Sequence, residues 1–279
     1  MNRGDVPSRR PIPFLKLHGL GNDFVLIDET KGEIVSESEK AEFAVRACSR
    51  HFGIGADGVL FVAREQDGLN MRVLNPDGSE AEMCVNGIRC TALANHIRIS
   101  PKQAAETKIR LLGGEVSTRI VMMVDPYTGV VEIRTSFSPR FLGKKVVCAE
   151  GLEYEYHLVD VGNPHAIAFI DQDVDQFDVE RVGHAVGNHG VFKPEGTNVE
   201  FVNMGQDGLL KMRVHERGAC ETLACGSGAI ATAFAAHRLQ KEIDRFVVRM
   251  PGGDLEVRFE EDVVVTGRAS LVFEGEAHL

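Results

Sequence analysis

Residues 71–96 read MRVLNPDGSEAEMCVNGIRCTALANH, and residues 212–237 read MRVHERGACETLACGSGAIATAFAAH. Set one above the other at an offset of 141, the separation of Cys84 from Cys225, they agree at ten of 26 positions. The matches are the leading Met-Arg-Val, Glu80 with Glu221, Cys84 with Cys225, Gly87 with Gly228, Thr91 with Thr232, Ala92 with Ala233, Ala94 with Ala235 and His96 with His237. The same offset brings Gly21-Asn22 onto Gly162-Asn163 and Gly55 onto Gly196. The later Gly113-Gly114 meets Gly252-Gly253 at 139, after a two-residue change in length. A unit of this size is too long for a solenoid repeat, so the chain reads as two domains of one fold related by a pseudo-twofold axis.

The boundary is expected at the Pro and Gly cluster DPYTG (125–129), giving domains of 1–127 and 128–268, with a closing strand near 269–279 returning to the first. Each copy mixes short runs rich in β-branched and aromatic residues with two helical stretches. In the first copy the runs are PFLKLH, FVLID, GVLFVA, MRVLN and KIRLL, and one helix is SEKAEFAVRACSRHFG, ended by glycine. The other helix begins after Cys84 and, like its counterpart AIATAFAA, is small-residue and nearly uncharged, so it should be buried on most faces. The expected class is α+β, with a curved sheet wrapped around a central helix, twice.

Composition excludes several functions. No apolar run approaches the roughly 18 residues that span a bilayer. A net charge of -10 disfavours a phosphate backbone as partner, because that contact needs clustered Lys and Arg. The leader MNRGDVPSRRPIP lacks the apolar core of a secretory signal and reads as a short, poorly ordered segment, so a cytoplasmic location is expected. The six cysteines therefore do not read as a disulfide framework. Cys48, Cys90 and Cys148 read as buried packing thiols. The spacings among Cys84, Cys90, Cys220 and Cys225 argue against zinc, and no metal is expected. GIGADG (53–58) is followed by no P-loop lysine, so no nucleotide is expected.

Cys84 and Cys225 each stand where a strand and turn hand over to the buried helix. A helix N-terminus offers unpaired N–H groups and about half a positive charge, so it favours an anion, either a thiolate or a substrate carboxylate. The thiols are accordingly expected to ionise below the free value of about 8.5. Across the pseudo-twofold, each domain aims one thiol and one helix N-terminus at a common cleft. One thiolate can remove a proton from one face of a carbon while the opposing thiol delivers one to the other, and the helix ends stabilise the charge developing on the adjacent carboxylate. Inversion of a carbon next to a carboxylate is the chemistry expected, with no cofactor.

Six ordered segments carry a family resemblance: HGLGNDF (18–24), GIGADG (53–58), NPDGSEAEMCVNGIRC (75–90), GNPH (162–165), GTNVEF (196–201) and ERGACETLACGSG (216–228). They resemble the diaminopimelate epimerases of lysine and cell-wall precursor synthesis. The resemblance implies interconversion of LL- and meso-diaminopimelate by a pyridoxal-phosphate-independent two-base mechanism, and a homodimer. It makes Cys84 and Cys225 the catalytic pair. It places Asn22, Val85, Asn86, Gly226 and Ser227 around the reacting end, and Asn75, Asn163, Asn198, Glu216 and Arg217 at the distal end. His165 and Glu216 fall where the family tunes the thiols. A diamino diacid suits this set, since Arg217 can hold a carboxylate in a fork and Glu216 an ammonium.

Two positions depart from the family pattern: Val85 and Cys220 both stand where glycine is usual. Valine disfavours positive φ and adds bulk, so the cradle on that side is expected to be crowded. Cys220 reads as a bystander. The alternatives are a pyridoxal-phosphate-independent racemase or isomerase of another amino acid and, in a different class, a thiol redox or metal-binding protein. His96 and His237 lie well past the thiols and read as structural.

Overall fold

The computed structural model describes residues 11–101, 106–135, 137–205 and 207–278. Residues 1–10 of the basic leader lie outside that set, and Ile12 and Pro13, which the leader was expected to include, already belong to the first strand.

The first copy runs β1 (Ile12–Gly19), β2 (Asn22–Asp28), α1 (Lys40–Cys48), β3 (Gly58–Glu65), β4 (Gly68–Leu74), β5 (Glu80–Ala81), α2 (Val85–Ala94), β6 (Glu106–Leu111), β7 (Gly114–Asp125) and β8 (Thr128–Thr135). After a linking strand, β9 (Arg140–Ala149), the order recurs. The second copy is β10 (Leu152–Asp160), β11 (Pro164–Phe169), α3 (Val179–Gly187), β12 (Asn198–Met204), β13 (Leu209–Glu216), β14 (Cys220–Thr222), α4 (Gly226–Leu239), β15 (Arg245–Met250), β16 (Gly253–Phe259) and β17 (Val263–Ala277).

The pairings repeat as well. The contacts β1–β2, β3–β4, β4–β5 and β6–β7 are antiparallel, as are β10–β11, β12–β13, β13–β14 and β15–β16. The parallel exceptions also match: β2–β3 with β11–β12, and β4–β6 with β13–β15. The class is α+β, in two copies of one mostly antiparallel fold.

Side-chain alternation along the strands explains the layers. In β2, Phe24 and Leu26 face α2, while Val25 and Ile27 face α1 on the outside with Phe43, Ala44 and Ala47. In β3, Leu60 and Val62 point in and Val59 and Phe61 point out. Both faces are covered, so these strands read as continuous apolar runs. In the second copy α3 plays the part of α1, with Val179, Val182 and Val186 against Ala166, Ala168, Val199 and Phe201. Every residue of α2 is buried, as its nearly uncharged sequence predicts, and that includes Arg89, a fully buried cation that the pattern does not suggest.

Helix α1 is shorter than SEKAEFAVRACSRHFG suggests and stops at Cys48. Gly53 then folds back over it, and any side chain there would lie 2.0 Å from the Arg46 carbonyl oxygen.

The copies are stitched together by their final strands. The first part of β17 pairs with β8 (Val263 to Ser270), and the rest with β1, from His18–Ser270 to Ile12–Ala277. In the other direction β9, which follows β8, pairs along β10. Each copy thus sends a closing strand to the other. DPYTG is the turn between β7 and β8, where Asp125 accepts from the backbone N–H groups of Tyr127 and Thr128, both at 2.8 Å. We keep the division at 127/128 as a proposal; the sheet runs through it. No helix among the described residues is long and apolar enough to cross a membrane.

Candidate active site between two helix N-termini

Cys84 and Cys225 are the N-caps of α2 and α4. The Cys84 sulfur accepts from the Gly87 N–H at 3.3 Å and the Cys225 sulfur from the Gly228 N–H at 3.4 Å. This is the bond a Ser or Asp cap makes, here made by sulfur. The remaining N–H groups of each first turn are left for another acceptor.

The two helix ends meet across the pseudo-twofold. Asn86 Nδ2 donates to the Ala224 carbonyl at 3.1 Å, and a Cβ built on Gly226 would lie 2.5 Å from Val85 Cβ. Val85 is not among the residues with positive φ; it is the first residue of α2. The crowding expected at Val85 therefore falls on the other helix. Its side chain occupies the space against Gly226, so only one of these two equivalent positions has room for a side chain.

Asn22, Asn86 and Ser227, expected at the reacting end, and Asn163, expected at the distal end, form a symmetric pair of contacts. Asn86 Nδ2 donates to Asn22 Oδ1 at 3.0 Å, and Asn163 Nδ2 to Ser227 Oγ at 3.4 Å. Around Cys225, Ser227 Oγ lies 3.5 Å from the sulfur, and the nearby Glu216 accepts from Thr222 Oγ1. His165 is fully buried, with Nδ1 2.6 Å from Glu200 Oε1 and Nε2 3.0 Å from Asn163 Oδ1. Asn198 accepts from the Arg217 N–H at 2.9 Å and donates to the Pro164 carbonyl at 3.0 Å. Arg217 is exposed, with Nη1 on the Glu195 carbonyl at 2.9 Å. Asn75 caps its own turn through Ser79 at 3.0 Å, and no contact ties it to the thiols.

The expected ease of ionisation is not what the folded chain shows. Burial pushes the Cys84 thiol up to about 11, against the opposing pull of the Gly87 N–H and the Arg89 charge. Burial pushes Cys225 well above the ordinary thiol range, and the neighbouring Glu216 and Glu200 charges add to it. Desolvation of a thiolate outweighs one helix end when water is excluded. Burial also raises the Glu216 carboxyl and lowers the Arg89 guanidinium to about 10.

Several supporting residues were not singled out by sequence. Arg89 Nη2 donates to Asn86 Oδ1 at 2.5 Å and its Nη1 to the Val85 carbonyl at 3.3 Å. Asp57 accepts from Asn22 Nδ2 at 2.9 Å, and Arg50 bridges Asp57 and Asp23 at 2.7 and 2.8 Å. Glu200 lies inside the quoted GTNVEF segment, but a buried carboxylate there becomes legible only through its contact with His165. The signal for Arg89 was a lone charge in an otherwise apolar helix.

All six cysteines are free; Cys48 and Cys90 are buried as expected, whereas Cys148 is exposed on β9. His237 is structural, its Nδ1 2.7 Å from the Ile243 carbonyl and its ring stacked on Phe259. Cys220 has φ +62°, the left-handed region, which is the backbone reason for a glycine preference at that position.

The family model for diaminopimelate epimerase matches residues 14–131 and 157–272. The chain is 38% identical to the diaminopimelate epimerase of Methanothermobacter thermautotrophicus, over 95% of this chain and 98% of that one. It is 40% identical to that of Methanocella arvoryzae, over 95% and 96%. Among solved structures, a phenazine biosynthesis protein from Bacillus anthracis superposes with a TM-score of 0.75 at 18% identity, covering 96% of this chain and 99% of that one. A hydroxyproline epimerase from Agrobacterium vitis does so with a TM-score of 0.70 at 14% identity, covering 96% and 91%. At those identities the structures speak for the fold alone.

Proposed function

The chain belongs to the diaminopimelate epimerase family, and from that premise we propose that it interconverts LL- and meso-diaminopimelate by proton transfer between Cys84, Cys225 and the substrate α-carbon, in lysine and cell-wall precursor synthesis. The observation that carries the reading is the pair of cysteine N-caps at abutting helix ends. One thiolate takes the α-proton and becomes a thiol. The electron pair left on carbon spreads into the adjacent carboxylate, whose oxygens accept from the free N–H groups of the α2 and α4 first turns, including those of Val85, Asn86, Gly226 and Ser227. The opposing thiol then delivers its proton to the other face and becomes the thiolate. Protons balance, and no oxidant or cofactor takes part.

The charges around the two sulfurs favour one starting state. At Cys84 the Arg89 charge lowers the cost of a thiolate while Glu216 raises it, whereas at Cys225 Glu216 and Glu200 both raise it. In the free enzyme Cys84 is thus the base and Cys225 the acid, and the roles reverse after turnover. His165, held between Glu200 and Asn163, positions the Cys225 side with Glu216. Cys225 is buried and Cys84 half-buried. Glu216 and Arg217, with Asn75, Asn163 and Asn198, supply the charges and amides that a distal ammonium and carboxylate need. A small cyclic substrate has nothing to pair with that end, which disfavours another racemase. We further propose a cytoplasmic homodimer, for which Met122 and Val124 on β7, Leu142 and Val146 on β9, and Val272 on β17 supply exposed apolar area.

The test is to incubate reduced protein with LL-diaminopimelate in deuterated water. Meso product carrying one solvent deuterium at the inverted carbon is expected; the absence of both exchange and inversion would remove the proposal.

A further inference from the structure

Outside the thiol pair, three ligand-type side chains converge on the face of the second copy: Glu180 on α3, His215 on β13 and Cys220 on β14, with one ligand atom from each within 4.8 Å of the others. They come together because α3 lies unusually close to β13. A Cβ at Gly183 would be only 2.4 Å from His215 Cβ. Cys220 is brought in by the β13–β14 hairpin, in which Glu216 pairs with Cys220.

The decisive group is His215. Its side chain is 6% exposed, yet neither ring nitrogen has a hydrogen-bond partner. A buried imidazole with both nitrogens unpaired is costly unless something takes them up. Nε2 faces Glu180 Oε1 at 3.8 Å, too long for a hydrogen bond and suited to two ligands of one ion. The other Glu180 oxygen is oriented by the Glu221 N–H at 2.9 Å.

We propose that Glu180, His215 and Cys220 form a site for a divalent transition metal of the zinc class, with water as fourth ligand. Carboxylate, imidazole and thiolate are the donors such an ion prefers, at about 2.0–2.3 Å each, and drawing in the observed cluster needs only side-chain adjustment. The ion would tie β14 to α3 and so brace the hairpin that carries Glu216 and Arg217. This site is separate from the catalytic thiols and rests on Cys220, the residue standing where glycine is usual.

Reduced, chelator-stripped protein is titrated with Co2+ and followed by absorption. One equivalent should produce a sulfur-to-cobalt charge-transfer band, displaced by Zn2+. The band should persist in the Cys84→Ala/Cys225→Ala double variant, vanish in Cys220→Gly, and need at least ten times more metal in Glu180→Gln. Glycine suits the backbone at 220, so that variant should fold, which circular dichroism checks. No band in the parent protein, a band surviving Cys220→Gly, or a band lost with the catalytic pair would each overturn the assignment.

Discussion

The surroundings of Cys84 and Cys225 share a backbone and differ in charge. Each sulfur caps a buried helix and takes the third N–H of that helix. The repeat partner of Arg89 is Ile230, that of Glu216 is Asn75, that of Glu200 is Val59, and that of His165 is Phe24. The first copy offers its thiol one buried cation, and the second offers two carboxylates and an imidazole. Duplication supplies two cysteine N-caps of like geometry, which the proposed inversion of a carbon would use as its two proton-transfer positions. On the proposed mechanism, divergence of the charged residues would make Cys84 the less costly of the two to ionise and so the starting base. The contact of Val85 with Gly226 shows the same logic in packing, because the axis leaves room for one side chain and not two.

The largest effect should come from removing either half. Cys84→Ala or Cys225→Ala should each lower kcat for epimerisation by roughly 10²–10⁴-fold, the range for a positioned acid or base. Full inversion by a one-thiol variant would break the comparison outright.

Next is the axis. Gly226→Ala puts a methyl against Val85 and should cost about 1–3 kcal/mol in urea unfolding. Val85→Gly in the same chain should restore part of it. If Gly226→Ala proves neutral alone, the two helix ends do not meet as described.

The charge asymmetry can be probed by pH. A thiolate at Cys84 forms as pH rises through its elevated pKa, so kcat/KM should climb on the alkaline side. Arg89→Met removes the cation that opposes burial, moving that limb to higher pH and slowing neutral-pH turnover severalfold, while Arg89→Lys should keep most of it. Glu216→Gln removes a charge that raises both thiols, and should move both ionisations to lower pH, the direction opposite to Arg89→Met. An unmoved limb in Arg89→Met would mean that Cys84 does not start as the base.

The smallest effect belongs to the hairpin. Cys220→Gly relieves a left-handed residue and should change metal-free stability by no more than about 1 kcal/mol, toward greater stability. A clear loss in urea midpoint would show that the thiol packs against something essential.

The repeat made much of the fold legible. The offset of 141 carried the strand order of both copies, and the cysteines at the strand-to-helix junctions carried the N-caps. The continuous apolar runs FVLID and GVLFVA report burial but cannot say what covers each face, so α1 and α3 as outer layers emerged only in space. Arg89 and Glu200 were missed because a single charge in an apolar run gives no hint of its partner. The expected low thiol pKa failed for a related reason: helix position is written in sequence, whereas exclusion of water is not.

By itself the sequence determined that two copies of one unit exist, which cysteines correspond, and which residue types stand around them, because periodicity and identity are local properties. Only the tertiary structure decided that α2 and α4 abut through Val85 and Gly226, that burial overrides the helix ends in setting the thiols, and that β9 and β17 cross between copies. It also brought Glu180 to His215 and Cys220. Each of these depends on distances between segments far apart in the chain, and on how much water remains between them.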